Sequence, residues 1–210
     1  GSGLVYCDKT TFSDCLDVIA KYGLEKKIPK PVLMRLRQGA QGKLAETPKK
    51  PTISNQIIAT NSDCLGVMAK KAKKLGYQVD VYSGLTGDVE LASSKLAKKF
   101  QNSKSNCLVF GGETTVQVKG NGKGGRNQEL VLNAASKLSN CVVSSIGTDG
   151  IDGNTKDAGA IFSNPIPKQI ADSYLQNNDS NSFFAKHGGI IRTGPTHTNL
   201  LDIGVILEKM

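Results

Sequence analysis

The chain has 210 residues, of which 38% are apolar, and a formal net charge of +9. This length suffices for one good-sized core, or for one domain and part of another, and the sequence lacks the run of about 18 apolar residues that a membrane-spanning helix needs. Because the lysines fall on polar faces of predicted helices and few aromatic residues lie among them, the charge indicates a solvated surface or attraction of small anions, rather than binding of nucleic acid.

The amino terminus shows no basic stretch followed by an apolar segment and a cleavage site, so the sequence predicts no secretory signal. Since the chain opens on Gly1 and has no initiator methionine, we expect it to be part of a longer polypeptide. Its cysteines stand outside any CxxC pair and have no histidine at zinc-ligand spacing. They are expected to be free thiols of a cytoplasmic protein: Cys7, Cys15, Cys64, Cys107 and Cys141.

The first part of the chain predicts two helices and a linker. Residues 10–22 carry apolar side chains at helical spacing behind a threonine cap, and residues 31–38 predict a shorter helix. Residues 39–54 are polar and contain two prolines, which is typical of a linker. We therefore interpret residues 1–50 as a linking segment and residues 51–210 as a separate domain.

Beyond residue 50, strand and helix patterns alternate. Short apolar runs predict strands and apolar spacings of three and four predict helices, in the order strand 57–60, helix 63–75, strand 77–82, helix 88–100 and strand 106–110. Strands joined by crossover helices are typical of a parallel sheet.

The second half adds an antiparallel component. Residues 113–119 alternate between polar and apolar side chains, which indicates a strand with one solvated face, antiparallel to its neighbour. The remaining predicted elements are a helix that begins near Gly125 and carries apolar residues from Leu130 to Leu138, strand 141–146, helices 167–175 and 182–185, and strands 190–192 and 203–207. The predicted fold class is therefore α/β, with a mixed, mostly parallel sheet flanked by helices.

Residues 111–129, GGETTVQVKGNGKGGRNQE, join a strand to a helix through a glycine-rich loop. Glycines let backbone N–H groups approach an anion, the helix start adds the positive end of its dipole, and an arginine fork matches a phosphate or carboxylate. The loop thus predicts an anion site, and a flexible basic hairpin tip is the alternative. The candidates are Gly122, Lys123, Gly124, Gly125, Arg126 and Asn127.

The same stretch leaves two other questions open. Glu113 can orient a sugar-like hydroxyl group or form a surface ion pair with Arg126. Gly120, Gly122 and Gly125 spell GxGxxG, the string of dinucleotide-binding loops, but the strand before it is half polar, so the match is weak. A nicotinamide-dependent reductase is therefore an alternative function.

Two further polar loops follow predicted strands, and open α/β sheets bind ligands outside their strand ends. In GTDGIDGNTKDAG, Asp149 and Asp152 can hold Mg²⁺ beside substrate phosphates, or simply form Asp-Gly turns. In TGPTHTN, hydroxyl and amide groups suited to a phosphate or a polyol surround His197. They belong to Thr196, Thr198 and Asn199.

Four segments in this order, GGETTVQVKGNGKGGRNQE, GTDGIDGNTKDAGA, NDSNSFF and TGPTHTN, closely resemble the MOFRL region of the glycerate 2-kinase family, also labelled hydroxypyruvate reductase. That region covers about residues 106–210, and SGLVYCDKTTFSDCLDVIAKYGL resembles another segment of the family, so the resemblance spans nearly the whole chain. It implies phosphorylation of D-glycerate to 2-phosphoglycerate by ATP and Mg²⁺, in a cleft between two domains.

By motif position, the resemblance also implies the active-site residues. Arg126 would contact the substrate carboxylate or the migrating phosphoryl group. Glu113 would have an orienting role. Asp149 would contact a metal ion or a hydroxyl group, and Asn199 would donate a hydrogen bond to the ligand.

The sequence departs from the family in two respects. His197 stands where the family usually has glycine. The family's amino-terminal nucleotide-binding domain, which carries an important lysine and aspartate, is missing here, so we expect the chain to fold but to have little kinase activity alone. That domain is the expected partner. The alternatives are an NAD(P)-dependent hydroxypyruvate reductase and a non-catalytic binding or assembly module, and homodimer formation is left open.

Overall fold

A computed structural model of the chain describes residues 6–50, 53–163 and 165–209. The chain divides into two compact units, Gly1–Ile58 and Ala59–Met210. Within the described residues, no helix is long and apolar enough to cross a membrane. Each of the five cysteines is a free thiol, as predicted.

The first unit contains a pair of packed helices, α1 (Phe12–Lys21) and α2 (Lys30–Ala40). Thr11 caps α1: its hydroxyl oxygen accepts a hydrogen bond from the N–H of Asp14, and the Asp14 carboxylate accepts one from the Thr11 N–H. Gly39 of α2 leaves room for Phe12, because a Cβ at Gly39 would lie 2.2 Å from the phenyl ring. Both predicted helices are confirmed.

The second unit is an α/β domain. Its elements in chain order are α3 (Asn61–Lys74), β1 (Val79–Asp88), α4 (Val89–Gln101), β2 (Cys107–Thr115), α5 (Arg126–Ala135), β3 (Cys141–Gly147), β4 (Gly159–Phe162), α6 (Lys168–Leu175), α7 (Ser180–His187), β5 (Ile190–Ile191) and β6 (Asp202–Glu208).

The strands form one six-stranded sheet in the order β1-β2-β6-β3-β4-β5. The predicted α/β class and the mixed sheet are confirmed, but the expectation of a mostly parallel sheet needs correction. Among the strands of the described residues, only β1 and β2 pair in parallel, and the other neighbours are antiparallel. The reason is that the last strand, β6, inserts between β2 and β3, which themselves point in the same direction.

Two predicted strands were wrong, and one strand was missed. Residues 57–60 form no strand: Ile57 is 77% exposed, and Thr60 caps α3. Residues 113–115 continue β2 in parallel register with β1, and residues 116–119 form no strand, so the predicted antiparallel strand 113–119 does not exist. Strand β4, within the polar loop region, was missed. In each case the pattern of polar and apolar residues within the segment did not reveal whether a neighbouring strand was available to pair with it.

Helices cover both faces of the first half of β2, and this explains why residues 107–110 are all apolar. Leu108 and Phe110 belong to the main core with α4 and α5, while Cys107 and Val109 pack with Leu65 of α3. Successive side chains of a strand point to opposite faces, so burial of both sets requires cover on both sides. The polar residues of β2 follow this buried half, and the candidate site begins there.

Candidate functional site

The site lies at the edge of the sheet where β2 and β3 end and β6 begins. In the antiparallel register, Asp202 at the start of β6 pairs with Gly112 of β2 on one side and with Gly147 of β3 on the other. The insertion of β6 thus places a carboxylate between the carboxyl ends of two strands. The polar loops that follow those strands meet around it.

Arg126, the first residue of α5, forms the centre of this group. Its Nε donates to Asp202 Oδ2 at 2.6 Å and one terminal nitrogen donates to Asp202 Oδ1 at 3.0 Å, a bidentate pair. Its other terminal nitrogen lies 3.1 Å from Glu113 Oε1. The bond with Asp202 raises the pKa of Arg126. Since a guanidinium has five N–H groups, about two stay available to a ligand.

Asp202 is a residue of this candidate site that the sequence analysis did not single out. It is 7% exposed, and Asn127 Nδ2 also donates to its Oδ1, at 3.1 Å. The sequence contained a usable signal, because Asp202 follows the TGPTHTN loop at the start of an apolar strand. Asp202 reaches the edge where β2 and β3 end because β6 runs antiparallel to both strands.

Asn127 has an internal role in place of the predicted cofactor contact. Its side chain is 2% exposed; its Nδ2 donates to Asp202 and, at 3.3 Å, to Asp152, and its Oδ1 accepts a 2.6 Å hydrogen bond from Ser145. These bonds engage both ends of the amide. Asn127 therefore fixes Asp202 and α5 relative to β3.

Asp152 likewise turns inward and caps α5. Its two carboxylate oxygens accept the backbone N–H groups of Asn127 and Gln128, each at 2.9 Å. Burial raises the pKa of Asp152. With both oxygens engaged by the helix, Asp152 no longer suits the predicted role of a metal ligand.

The glycine-rich loop also departs from its prediction, since its amides are occupied by the protein itself. Every backbone N–H from Lys119 to Gly124 donates to a protein acceptor. Most acceptors belong to residues 177–179, which we call the clamp turn, and Asn154 accepts the last of these bonds. A phosphate cradle made of these N–H groups is therefore excluded in this conformation.

The loop glycines allow close packing of backbone against backbone. A Cβ on Gly122 would lie 2.5 Å from the Asn177 carbonyl oxygen, and one on Gly124 would lie 2.3 Å from Ser180 Oγ. Lys123 is exposed, and its side chain has no partner among the described residues. Of the predicted loop candidates, Lys123 has an exposed side chain, and the N–H groups of Gly125 and Arg126 have no acceptor among the described residues.

The other predicted residues gather in a second group beside the first. Asn199 Nδ2 lies 3.5 Å from Asp149 Oδ2, and the Thr196 hydroxyl donates to the Thr148 carbonyl. Thr198, like Thr196 and Asn199, is exposed. The structure thus brings Asp149, Asn199 and the two threonines together, with Asp149 half-buried and the other three exposed.

Gly147 lies between the two groups. A Cβ at Gly147 would lie 2.9 Å from Asp149 Oδ1 and 3.6 Å from Asp202 Oδ1, so both carboxylates border the same small space. The structure therefore joins all four predicted catalytic residues, Glu113, Arg126, Asp149 and Asn199, through Asp202 and Gly147.

We expect Gly147→Ala to narrow this space while costing only about 1 kcal/mol of stability, since one methyl group must displace a carboxylate and a nearby carbonyl. Ligand binding should suffer more than the fold does. Urea unfolding of the purified chain measures the stability cost, and amide chemical shifts at Asp149 and Asp202 report the displaced carboxylates. Unchanged shifts at both residues would contradict this geometry.

His197 adopts a left-handed conformation, with φ of 58°. Glycine takes this conformation without strain, and the family resemblance expects glycine at this position. The side chain of His197 is exposed.

Comparison with known proteins shows which of them this chain is similar to. Residues 106–202 match the model of the MOFRL family. The chain is 32% identical to the glycerate 2-kinase of Pyrococcus horikoshii over 98% of its own length and 51% of that protein. It is 35% identical to the D-glycerate 2-kinase of Thermotoga maritima, over 98% of this chain and 52% of the relative.

The crystal structure of glycerate kinase from Thermotoga maritima superposes with a TM-score of 0.75 at 34% identity, covering 96% of this chain and 51% of the other. Residues 106–202 therefore resemble the MOFRL family. The chain is homologous to glycerate 2-kinases along nearly its whole length, and it spans about half the length of these relatives.

Proposed function

We propose that this chain forms one wall of the active site of an ATP-dependent glycerate 2-kinase, which transfers a phosphoryl group from ATP to D-glycerate to give 2-phosphoglycerate. The observation that carries the proposal is the position of Arg126 between Glu113 and Asp202, beside Asp149 and Asn199, in a chain homologous to such kinases.

Phosphoryl transfer requires mainly positioning and stabilisation of charge. Arg126 can donate its remaining N–H groups to a carboxylate or phosphoryl oxygen without leaving Asp202, so its approach to the ligand is set in advance. Asp149 is suited to accept a hydrogen bond from the substrate hydroxyl group, and Asn199 can donate one. Asp202, Asn127 and Asp152 hold this arrangement in place.

The charge of the site indicates that another cation is needed. Glu113 and Asp202 both face Arg126, so the group carries an excess of negative charge and attracts the phosphates of ATP only weakly. The family resemblance places a lysine in the amino-terminal domain, and Mg²⁺ would arrive with the nucleotide. A partner domain of this kind fits the relatives, which are about twice as long as this chain.

The described residues contain no cluster of three or more histidine, cysteine or carboxylate side chains that could hold a metal ion. Of the two predicted ligands, Asp149 alone keeps an oxygen without a close partner. Because Mg²⁺ is commonly held by one or two carboxylates together with substrate phosphates, Asp149 would hold the ion only in the presence of the nucleotide.

The reductase alternative has less support. The relatives above are kinases, and the GxGxxG loop directs its N–H groups to the clamp turn. The purified chain should therefore show no saturable binding in a fluorescence titration with NADH.

The proposal is tested by assay of the chain alone and fused to the half of the Thermotoga maritima enzyme that it does not match. We expect no turnover by the chain alone and formation of ADP with D-glycerate by the fusion, with ³¹P NMR assigning the product. Arg126→Ala in the fusion should lower turnover roughly a hundredfold, and Arg126→Lys tests whether charge without the fork suffices.

Two results would each contradict one part of this proposal. Turnover by the chain alone would show that no second wall is required. An inactive but folded fusion, assayed beside an active Thermotoga maritima enzyme, would remove the kinase proposal.

A further inference from the structure

A cavity of about 180 Å³, which we call the α4–α6 cavity, lies where the start of α4 meets α5 and the end of α6. It is smaller than the roughly 300–1,000 Å³ of sites for drug-sized ligands, so it suits an occupant of a few non-hydrogen atoms. Its lining among the described residues includes none of the four predicted catalytic residues. The α4–α6 cavity is therefore separate from the site of the proposed kinase.

Glu129 of α5 brings a buried carboxylate to this cavity. The residue is 4% exposed, and its Oε1 accepts a 2.9 Å hydrogen bond from Asn178 of the clamp turn. Burial raises the pKa of Glu129. Within the described part of the chain, no group donates to its Oε2. Because a buried carboxylate costs free energy unless its oxygens accept hydrogen bonds, Oε2 calls for a donor.

Asn133, one turn further along α5, brings the complementary group. The residue is 6% exposed, and its Oδ1 accepts a 3.3 Å hydrogen bond from Lys137 Nζ. Its Nδ2 donates to no acceptor among the described residues. Residues four apart on a helix lie on one face, with roughly 5–6 Å between their Cβ atoms. The face of α5 thus presents an unpaired acceptor beside an unpaired donor.

Both unpaired atoms have accessible surface. In the described part of the chain, the fully enclosed side-chain atoms without a partner are Thr114 Oγ1 and Ser180 Oγ. Glu129 Oε2 and Asn133 Nδ2 also lack partners but are not enclosed in this way. Both residues line the α4–α6 cavity, and only Glu129 also borders the space beside the glycine-rich loop. A single small molecule can therefore bond to both atoms from the α4–α6 cavity.

The rest of the lining carries more acidic than basic groups. Four carboxylates and one ammonium group line the cavity, on Asp88, Glu90, Glu129, Asp172 and Lys119. Even when the neighbouring Lys137 and Lys168 are added, carboxylates remain in the majority. Among the described residues, no lysine or arginine forms an ion pair with Glu129. The cavity therefore attracts a cation, and the free oxygen of Glu129 can accept its hydrogen bond.

A metal ion does not fit this set of groups. The described residues contain no group of three carboxylate, histidine or cysteine side chains that could hold one, and Asn133 Nδ2 would direct a hydrogen-bond donor at it. An ammonium group instead donates hydrogen bonds, which are strongest to a carboxylate. An oxygen atom close to that ammonium group would accept the hydrogen bond from Nδ2.

We propose that the α4–α6 cavity binds a small primary amine that carries a hydroxyl group, with its ammonium group on Glu129 Oε2 and its hydroxyl oxygen accepting from Asn133 Nδ2. Val89 and Leu175 supply apolar lining for the carbon atoms between them. The site uses none of the residues assigned to phosphoryl transfer, so it stands or falls independently of the proposed kinase.

The test is a titration of the ¹⁵N-labelled 210-residue chain with ethanolamine at constant ionic strength. Ethylamine is the matched amine without a hydroxyl group, ethylene glycol is the matched molecule without charge, and KCl tests an inorganic cation. We expect saturable shifts of the Asn133 side-chain amide and of the Glu129 and Leu175 backbone amides. Ethanolamine should bind more tightly than either organic control.

Glu129→Gln keeps the side-chain shape and removes the charge, so it should weaken ethanolamine binding about tenfold, the effect of one charge-assisted hydrogen bond. Asn133→Leu removes the donor at similar volume and should reduce the preference for ethanolamine over ethylamine about fivefold. Glu208→Gln replaces an exposed carboxylate outside the cavity and should leave binding unchanged. If Asn133→Leu does not fold, the Asn133 side-chain shift in the unaltered chain reports the same contact.

Four results would each overturn the proposal. They are equal affinity for ethanolamine and ethylene glycol, the same shifts with KCl, shifts confined to Gly122 and Gly124 beside the other space that Glu129 borders, and no saturable shifts at all. Since the titration contains neither ATP nor glycerate, its outcome does not depend on kinase activity.

Discussion

Replacement of Asp202 by alanine is expected to destabilise the chain by about 3 kcal/mol. Breaking a buried ion pair typically costs roughly 3–5 kcal/mol, because one charge loses its partner, and the lower value fits a pair whose side chains are 10% and 31% exposed. The same change deprives the buried Asn127 amide of an acceptor. Urea unfolding followed by circular dichroism measures the loss as a lower midpoint.

The matched control is Asp172→Ala. Asp172 also forms an ion pair, with Lys168 one turn away on α6, but these side chains are 39% and 69% exposed. Exposed pairs of this kind contribute roughly 0.3–0.5 kcal/mol, so the midpoint should barely move. If both variants lost the same stability, Asp202 would not be the anchor of Arg126.

Gly125→Ala is the second change with a large expected effect. A Cβ at this position would lie 2.4 Å from the backbone carbonyl carbon of Asp152 and equally close to its carboxylate. The methyl group cannot be accommodated by rotating one side chain, so Asp152 must leave the amino end of α5. Overpacking and loss of the cap together should cost about 3 kcal/mol, measured in the same unfolding experiment.

Gly66→Ala provides the contrast within a helix. Gly66 lies on the exposed side of α3, and nothing lies within 4 Å of where its Cβ would be. Alanine should stabilise the chain there by about 0.5–1 kcal/mol, because it loses less backbone freedom on folding and favours the helix. A stable Gly125→Ala variant would show that α5 does not depend on the Asp152 cap.

Much of the fold could be predicted from local patterns. The helices follow from apolar spacing and from caps such as Thr11 and Thr60, which act within one turn. The order of β6 in the sheet could not be predicted, because strand pairing depends on contacts between distant segments. Asp202 was missed for this reason, although its neighbours in the loop before it were identified.

The candidate site was predicted in part. The part that could not be predicted has a physical reason. Charged and polar residues at strand ends, such as Arg126 and Asp149, do lie together. Composition could not reveal which of them bind the protein itself. Asn127, Asp152 and the loop amides satisfy internal partners, and a glycine-rich sequence looks the same whether its N–H groups face a ligand or another segment.

The clamp turn has a consequence for exchanging parts between related proteins. Residues 119–124 and 177–179 are far apart in the chain, yet their hydrogen bonds and glycine contacts make them one structural unit. A chimera that receives only the glycine-rich loop of a relative would present N–H groups to acceptors shaped for another loop. Transplantation should therefore succeed only when both segments are moved together.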